Sequence, residues 1–586
     1  MIEKLKDRLK SKSVFGVCIA FVALVAQVSL AQNSEAVQSS AVEQVEISSP
    51  YKAGEAIRYL PVQDAGRVKP YDTFARELLE IVYGKTKYKT ESGDSAPAYL
   101  IVLTWMLSPD SWVQRPLFEV NHLDVKKKLG LADDKKYFSS EELFNSDKFQ
   151  NLMQELTDKR ESREKLTPYY QALQRLQNQM IYFRELTSGR LLKLMPQVNS
   201  SSQASADRTW LSVSELPAEQ QQLFLKVSQN VAEYLGALAA KQGVEVAASD
   251  LDKSVIALRQ NIAQTTGDEY HAARKVDSEV FYYDMHPFRW AYILYFVSAL
   301  ILLFIWVRNL NSGMTLVWCL VLCGFAIHTL GFGFRVYLAE RPPVTNMYET
   351  VVWMSWGAVL FSMILEKIYK FKSLIFAGAL VGFVAMVVAD TAPAVLDPSI
   401  QPLEAVLRSN YWLIVHVMTI TISYAAFALA FGLGDIGLVY YAIDPDKYKD
   451  QIQKITTGVY RSMQIGVAFL APGIILGGIW ADYSWGRFWG WDPKETWALI
   501  ALLGYIIILH ARLVNWIQNF GMLVSGVMTF NLVIMAWYGV NFILGAGLHS
   551  YGFGAGGVEY VSIFVLLHIL FIVYVYVVKR MSRPRL

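Results

Sequence analysis

Long apolar segments alternate with short polar loops through the second half of the chain. From Trp290 onward these segments approach the roughly 20 residues that a helix needs to cross a bilayer. The predicted fold class is therefore an α-helical polytopic membrane protein, with its membrane domain over residues 289–586. The pattern predicts nine membrane-spanning helices, over residues 290–307, 314–332, 348–365, 373–390, 411–438, 462–480, 497–511, 519–544 and 559–578.

The first half of the chain has a different pattern. Residues 1–12 are basic, and residues 14–30 form one apolar run that closes in Ser-Leu-Ala, which predicts a secretory signal or an uncleaved signal anchor over residues 1–31. Residues 137–195 carry apolar positions at helical spacing with charged outer faces. Residues 32–288 are therefore predicted to form a mainly α-helical extracytoplasmic domain.

The distribution of charged residues supports the division into two domains and predicts on which side of the membrane the loops lie. Charged side chains make up about 25% of residues 32–288 but only about 11% of residues 289–586, too few for a water-facing surface of that size. If the first domain lies outside, Lys and Arg collect in the loops and tail on the inner side, as the positive-inside rule requires. The net charge of +3 gives no support to nucleic-acid binding, and three cysteines exclude a disulfide scaffold and a thiolate zinc site.

The densest chemical signal lies between the sixth and seventh predicted helices. Residues 480–497 contain five of the chain's 16 tryptophans. One or two tryptophans would suit the aromatic belt at a membrane surface, but five separated by glycines form a flat apolar surface suited to a large planar ligand. Trp485, Trp489 and Trp491 are the predicted centre of that surface.

Part of this segment is predicted to be structural. Asp492, Pro493 and Glu495 form a capping box that begins the next helix, so they need no chemical role. Arg487 and Lys494 remain as cations that can pair with the carboxylates of a bound ligand.

Five histidines lie inside or at the edge of apolar segments, where an imidazole is costly and marks a site. In the deduced topology His416 and His549 lie on the outer side with the tryptophan segment, and they can supply the bis-histidine axial ligation that haem iron accepts. The alternative for each is a hydrogen bond to water or a carbonyl. His510 and His328 lie deeper, where they can bind haem in the membrane or join two helices. His568 has no neighbouring signal and is assigned no role.

Residues 485–497, Trp-Gly-Arg-Phe-Trp-Gly-Trp-Asp-Pro-Lys-Glu-Thr-Trp, closely resemble the tryptophan-rich signature of CcsA/ResC proteins, the membrane subunit of cytochrome c synthetase. The resemblance covers about residues 290–580. In that family one external histidine precedes the signature, another follows it, and a membrane histidine lies on the next helix; these roles fall on His416, His549 and His510.

The resemblance implies an activity in the bacterial cytoplasmic membrane. Haem b would be presented at the outer face and attached by thioether bonds to the Cys-x-x-Cys-His motif of apocytochrome c, which makes the chain an expected subunit of holocytochrome c synthase. Positioning and haem electronics would carry the catalysis, without a protein nucleophile. Two alternatives stay open: a haem exporter without ligation activity, and a membrane electron carrier with permanent b-type haem.

The resemblance also implies partners. Full synthetases have a CcsB/ResB part with several spans before a large outer domain, whereas one leader-like segment precedes residue 32 here. A separate CcsB/ResB-like subunit is therefore expected to carry the second membrane histidine, with His328 as its substitute in this chain. A thioredoxin-like protein is expected to reduce the apocytochrome thiols. Residues 59–76 are similar to the outer portion of CcsB–CcsA fusions and are expected to form a docking strip.

Overall fold

The computed structural model describes eleven stretches of the chain. Those up to Met285 and those from His286 onward form two compact units. The predicted leader and His549 lie outside the described residues. The stretches are residues 52–90, 93, 95–144, 147–161, 166–197, 209–267, 275–310, 312–392, 395–402, 410–544 and 557–581.

The N-terminal unit is mainly helical. Its α-helices are Tyr71–Tyr83, Ala98–Leu107, Leu123–Leu129, Ser140–Phe144, Asp147–Glu161, Pro168–Thr187, Ala218–Ala240, Val244–Thr266 and Val276–Met285. Most of them pack around one apolar core, in which Trp105 and Trp112 are almost completely buried. This helical content agrees with the sequence prediction.

Four antiparallel strand pairs, which the sequence did not predict, complete this unit. Each strand has only two to four residues, too short for a period-2 pattern to be recognised. The pairs are Pro61–Asp64 with Arg67–Pro70, Lys87–Lys89 with Ser95–Pro97, Phe118–Glu119 with Tyr137–Phe138, and Lys193–Pro196 with Trp210–Ser212.

Several charges of the expected docking strip, residues 59–76, point into the N-terminal unit. Lys69 is fully buried and lies 2.5 Å from Glu77, while Arg67 lies 2.8 Å from Glu279. Burial raises the pKa of Glu77, which the charge of Lys69 opposes. Breaking one partner of such a pair leaves an uncompensated buried charge, so these side chains stabilise the fold.

The described residues contain nine segments that are long and apolar enough to cross a membrane, as predicted. The eighth segment runs from Asn519 to Leu544 and changes from α-helix to a π-helix at Met535. The helices of the membrane unit are Pro287–Val307, Met314–Ala339, Met347–Tyr369, Ser373–Thr391, Asn410–Ile443, Lys449–Trp485, Pro493–Leu513, Asn519–Met528, Phe530–Ile534, the π-helix Met535–Leu544, and Val558–Met581.

The helix Asn410–Ile443, here called the His416 helix, lies at the centre of the membrane unit. It packs most extensively against Lys449–Trp485, here called the Pro472 helix. Its middle is rich in fully buried alanines, which let neighbouring backbones approach closely. Phe427 stacks on Tyr505 with ring centroids 3.6 Å apart. The His416 helix therefore sets the positions of the helices that surround the site.

Candidate functional site

A cleft opens where five segments of the membrane unit meet at neighbouring ends. The space that it encloses, including the part open to solvent, is about 1160 Å³. The walls come from the start of Met347–Tyr369 and the loop before it, the N-terminal part of the His416 helix, the C-terminal part of the Pro472 helix, the start of Pro493–Leu513, and the π-helix Met535–Leu544.

Aromatic rings form much of the cleft wall. Trp480, Trp489 and Trp537 line it together with aliphatic side chains, and its polar residues include His416, Lys494 and Asn541. This combination of an apolar wall with a few polar groups is typical of sites for large organic ligands.

The predicted tryptophans are distributed unequally around the cleft. Trp489 lines it, whereas Trp491 is 69% exposed and stands edge-on to Trp489. Trp485 packs edge-on against Trp480, with ring centroids 4.6 Å apart. Trp480, which the sequence placed in the tryptophan segment but outside its predicted centre, lies parallel to the imidazole of His416 at 6.4 Å.

Glu495 stabilises the loop that precedes the helix Pro493–Leu513. The predicted capping box is present: Asp492 accepts a hydrogen bond from the backbone N–H of Lys494, and Glu495 accepts one from that of Asp492. Glu495 also accepts from the backbone of Gly490 at 2.8 Å and pairs with Arg487 at 3.0 Å. Arg487 is thus tied to the loop and does not line the cleft, whereas Lys494 does.

The hydrogen bond of His416 determines which ring nitrogen can bind a metal. Nδ1 lies 2.8 Å from the carbonyl oxygen of Gly473 on the Pro472 helix. Because a carbonyl oxygen only accepts, Nδ1 carries the proton and the lone pair is on Nε2. Histidines that bind metals usually donate their other N–H to such an acceptor, which fixes the ring orientation.

A glycine face on the Pro472 helix makes room for this ring. A Cβ at Gly477 would lie 2.8 Å from Nδ1 of His416, closer than a side chain tolerates. A Cβ at Gly473 would lie 2.7 Å from a side-chain carbon of Ile420, on the His416 helix. The two helices therefore approach closely at this point because both positions are glycine.

A buried ion pair supports the rim of the cleft. Arg335 and Glu349 are each 1% exposed and lie 2.7 Å apart. The second oxygen of Glu349 accepts a hydrogen bond from the backbone N–H of Thr345, a rim residue, at 2.9 Å. Arg335 also donates to the carbonyl oxygen of Pro398 at 2.9 Å. The pair thus joins the two loops around residues 345 and 398.

Of the other predicted haem histidines, the two that the structure describes are not part of the cleft wall. His328 is fully buried, with Nδ1 3.3 Å from the hydroxyl of Tyr295 and its ring parallel to Phe332. His510 is exposed, with Nδ1 2.8 Å from the carbonyl oxygen of Ile506 on its own helix. His549 lies outside the described residues. The structure thus brings His416, Trp489 and Lys494 together and places His328 and His510 elsewhere.

Sequence reasoning missed the part of the cleft wall that the π-helix Met535–Leu544 provides. Trp537 and Asn541 both line it from the π-helix, and the amide of Asn541 donates to the sulfur of Met347 across the cleft at 3.2 Å. An apolar segment gives no signal of π-helical geometry, so its inward face could not be deduced.

The fold and the site define a polytopic membrane protein. Its helix ends enclose an aromatic cleft, and a hydrogen bond orients the imidazole of His416 at the cleft wall. A family model described as cytochrome C assembly protein matches residues 344–549, the stretch that holds every residue of the cleft wall. The cytochrome c biogenesis protein CcsA of Mesostigma viride is 34% identical over 248 residues, which cover 37% of this chain and 80% of that protein. The chain belongs to the CcsA family of cytochrome c assembly proteins.

Two further relatives show how far the similarity extends. Protein NrfI of Wolinella succinogenes is 28% identical over 518 residues, or 83% of this chain, so the similarity reaches into the N-terminal unit. CcsA of Chlamydomonas reinhardtii is 33% identical over 225 residues, or 36% of this chain. The chain spans only 53% of NrfI and 61% of the Chlamydomonas protein.

Proposed function

We propose that this protein presents haem at the outer face of a bacterial cytoplasmic membrane and takes part in its covalent attachment to apocytochrome c. The observation that carries the proposal is the hydrogen bond of His416 at the wall of an aromatic cleft: its Nδ1 lies 2.8 Å from the carbonyl oxygen of Gly473, which assigns the lone pair to Nε2. The match to the cytochrome c assembly family supports the same function.

The cleft chemistry suits haem b as the substrate. Trp480 and Trp489 offer flat apolar surface to the porphyrin, and the ammonium of Lys494 can pair with a propionate. Arg487 is the weaker partner for a propionate because Glu495 already binds it.

Haem iron would be held between two imidazoles, with Nε2 of His416 as one axial ligand. His549 supplies the second ligand in this proposal, and His510 binds haem on its way through the membrane. Bis-histidine ligation leaves no open coordination position for oxygen while the haem waits for its acceptor.

Attachment requires only the addition of two thiols. Each cysteine S–H of the Cys-x-x-Cys-His motif adds across one vinyl C=C, with sulfur bonding one carbon and hydrogen the other, so no oxidant is consumed. The histidine of the motif then replaces one imidazole on the iron. The chain contributes positioning of the haem, and a thioredoxin-like partner would supply reduced thiols.

The N-terminal unit and the cleft lie on the outer side, following the leader and the distribution of Lys and Arg in the loops. There the N-terminal unit would receive apocytochrome c. A CcsB/ResB-like membrane subunit completes the synthetase.

The test is expression of the protein with its CcsB/ResB-like partner and a cytochrome c reporter in a host that lacks its own maturation system. Covalent haem on the reporter is expected with the wild type and is expected to be lost in His416→Ala. His122→Ala, which changes a histidine of the N-terminal unit, is the matched control. Bound haem without covalent attachment by the wild type would instead identify a haem exporter.

A further inference from the structure

Two buried polar atoms on the π-helix Met535–Leu544 have no hydrogen-bond partner among the described residues. They are the indole Nε1 of Trp537 and the side-chain oxygen Oδ1 of Asn541. Asn541 is 7% exposed, and both residues line the cleft. A buried donor or acceptor without a partner costs the free energy of a lost hydrogen bond, so each such group calls for an explanation. A ligand in the cleft can supply both missing partners.

The hydrogen bonds of Asn541 identify its unpartnered atom as an acceptor. Nδ2 lies 2.8 Å from the backbone carbonyl oxygen of Trp537 and 3.2 Å from the sulfur of Met347. Because a carbonyl oxygen only accepts, the amide nitrogen must occupy this position, and the remaining atom is the oxygen. The same bond places the amide next to Trp537, whose indole N–H is the unpartnered donor. The π-helix therefore presents one donor and one acceptor at one part of the cleft wall.

A donor beside an acceptor matches a neutral carboxylic acid, whose C=O accepts and whose O–H donates. It does not match an ionised carboxylate, which only accepts and would face the oxygen of Asn541 with a second acceptor. Haem b carries two propionates, and Lys494 is the one lysine or arginine in the part of the cleft wall that the structure describes. Lys494 can balance one propionate. The other lies against an apolar wall without a cation, where the protonated form costs less to bury.

We propose that Trp537 and Asn541 bind one haem propionic acid, while Lys494 binds the other propionate as a carboxylate. The acid O–H donates to Oδ1 of Asn541, and its C=O accepts from the indole of Trp537. Solvent does not reach either atom, so the acid must displace contacts of the wall as it enters; the contact of Asn541 with Met347, whose sulfur is a weak acceptor, can open. The vinyl groups lie on the opposite edge of the porphyrin, so holding both propionates fixes where the vinyl groups are presented. The inference rests on the proposed function, with haem as the ligand of the cleft.

The test uses the full-length protein in lipid nanodiscs, titrated with haem b and with haem dimethyl ester, which has no acid O–H. Asn541→Leu keeps the size of the side chain and removes the acceptor. It is expected to weaken binding of haem b roughly tenfold and to change binding of the ester by less than about twofold. The spectrum of the bound haem is expected to stay that of the wild type, because Asn541 does not contact the iron. Asn531→Leu, on the neighbouring helix Phe530–Ile534 and outside the cleft wall, is the matched control and is expected to bind both ligands like the wild type.

A second variant separates the donor from the acceptor. Trp537→Phe keeps an aromatic ring but removes the N–H, and it is expected to weaken binding of haem b and of the ester alike, because the ester carbonyl still accepts. Wild-type affinity for haem b in Asn541→Leu would overturn the inference, as would an equal loss for haem b and the ester. Loss of covalent attachment to the reporter with haem affinity intact would also overturn it, because Asn541 would then serve the apocytochrome. An unchanged haem spectrum in His416→Ala would instead refute the proposed ligation and leave the comparison of haem b with its ester valid, so the two failures can be told apart.

Discussion

The contact between Gly477 and His416 provides a test in which stability and haem binding respond differently. In Gly477→Ala the new methyl group would lie 2.8 Å from Nδ1, so the imidazole must turn away and lose its 2.8 Å hydrogen bond to Gly473. Losing the hydrogen bond that orients a metal-binding imidazole reduces metal affinity by roughly 10- to 100-fold, or about 1.4–2.7 kcal/mol.

The effect of Gly477→Ala on stability should be smaller, because two terms oppose each other. Alanine favours a helix interior over glycine by about 1 kcal/mol, while crowding in a packed core costs about 1–3 kcal/mol. Gly333→Ala is the matched control: it is also a membrane-helix glycine, and its Cβ would have no neighbour within 4 Å. That control is expected to keep full haem affinity.

The assay is a haem titration followed by absorbance, with thermal unfolding measured on the same preparations. The expected result is a large loss of haem affinity in Gly477→Ala with a small change in melting temperature, and neither loss in Gly333→Ala. If Gly477→Ala binds haem with wild-type affinity and spectrum, His416 is not an iron ligand held by Gly473, and the reasoning fails.

Two further predictions concern the cleft and its rim, and a third concerns the N-terminal unit. Trp489→Leu is expected to weaken haem binding several-fold, whereas Trp516→Leu, at an exposed position in another loop, is expected to leave it unchanged in the same titration. Glu349→Gln removes the negative charge that faces the buried Arg335 and is expected to lower the free energy of unfolding by about 3–5 kcal/mol, measured by denaturant titration. The backbone N–H and hydroxyl of Ser212 lower the pKa of Glu215, so this carboxylate stabilises the fold above its unfolded pKa of about 4.3. The difference in melting temperature between wild type and Glu215→Gln is therefore expected to shrink as the pH falls through the lower, folded pKa.

The membrane architecture could be predicted because it depends on properties that a single segment carries. Apolar length identifies a spanning helix wherever its neighbours lie, so all nine segments were found. The capping box at Asp492 and Glu495 was also predictable, since both partners lie within one turn. For the same reason the tryptophan segment could be recognised as a site.

The pairing of distant side chains could not be predicted, because helix rotation and tilt decide it. Arg487 has the same charge as Lys494 and lies close to it in sequence, yet Glu495 binds Arg487 while Lys494 lines the cleft. His568 had no visible partner because Asp435 lies on another apolar segment. Burial of His328 likewise follows from packing against Tyr295 and not from its position in the sequence.

Polar contacts between helices have a particular value in this membrane unit. Lipid tails are as apolar as the side chains that they replace, so apolar burial alone selects weakly among helix arrangements. The His416–Gly473 hydrogen bond joins two helices that border the cleft, and the Arg335–Glu349 pair joins one of its helices to the neighbouring helix Met314–Ala339. Because such contacts are directional, they can fix the cleft geometry where packing cannot. Variants of these contacts should therefore alter ligand geometry before they unfold the helices, which is the order of events expected if the cleft holds haem in one orientation for attachment.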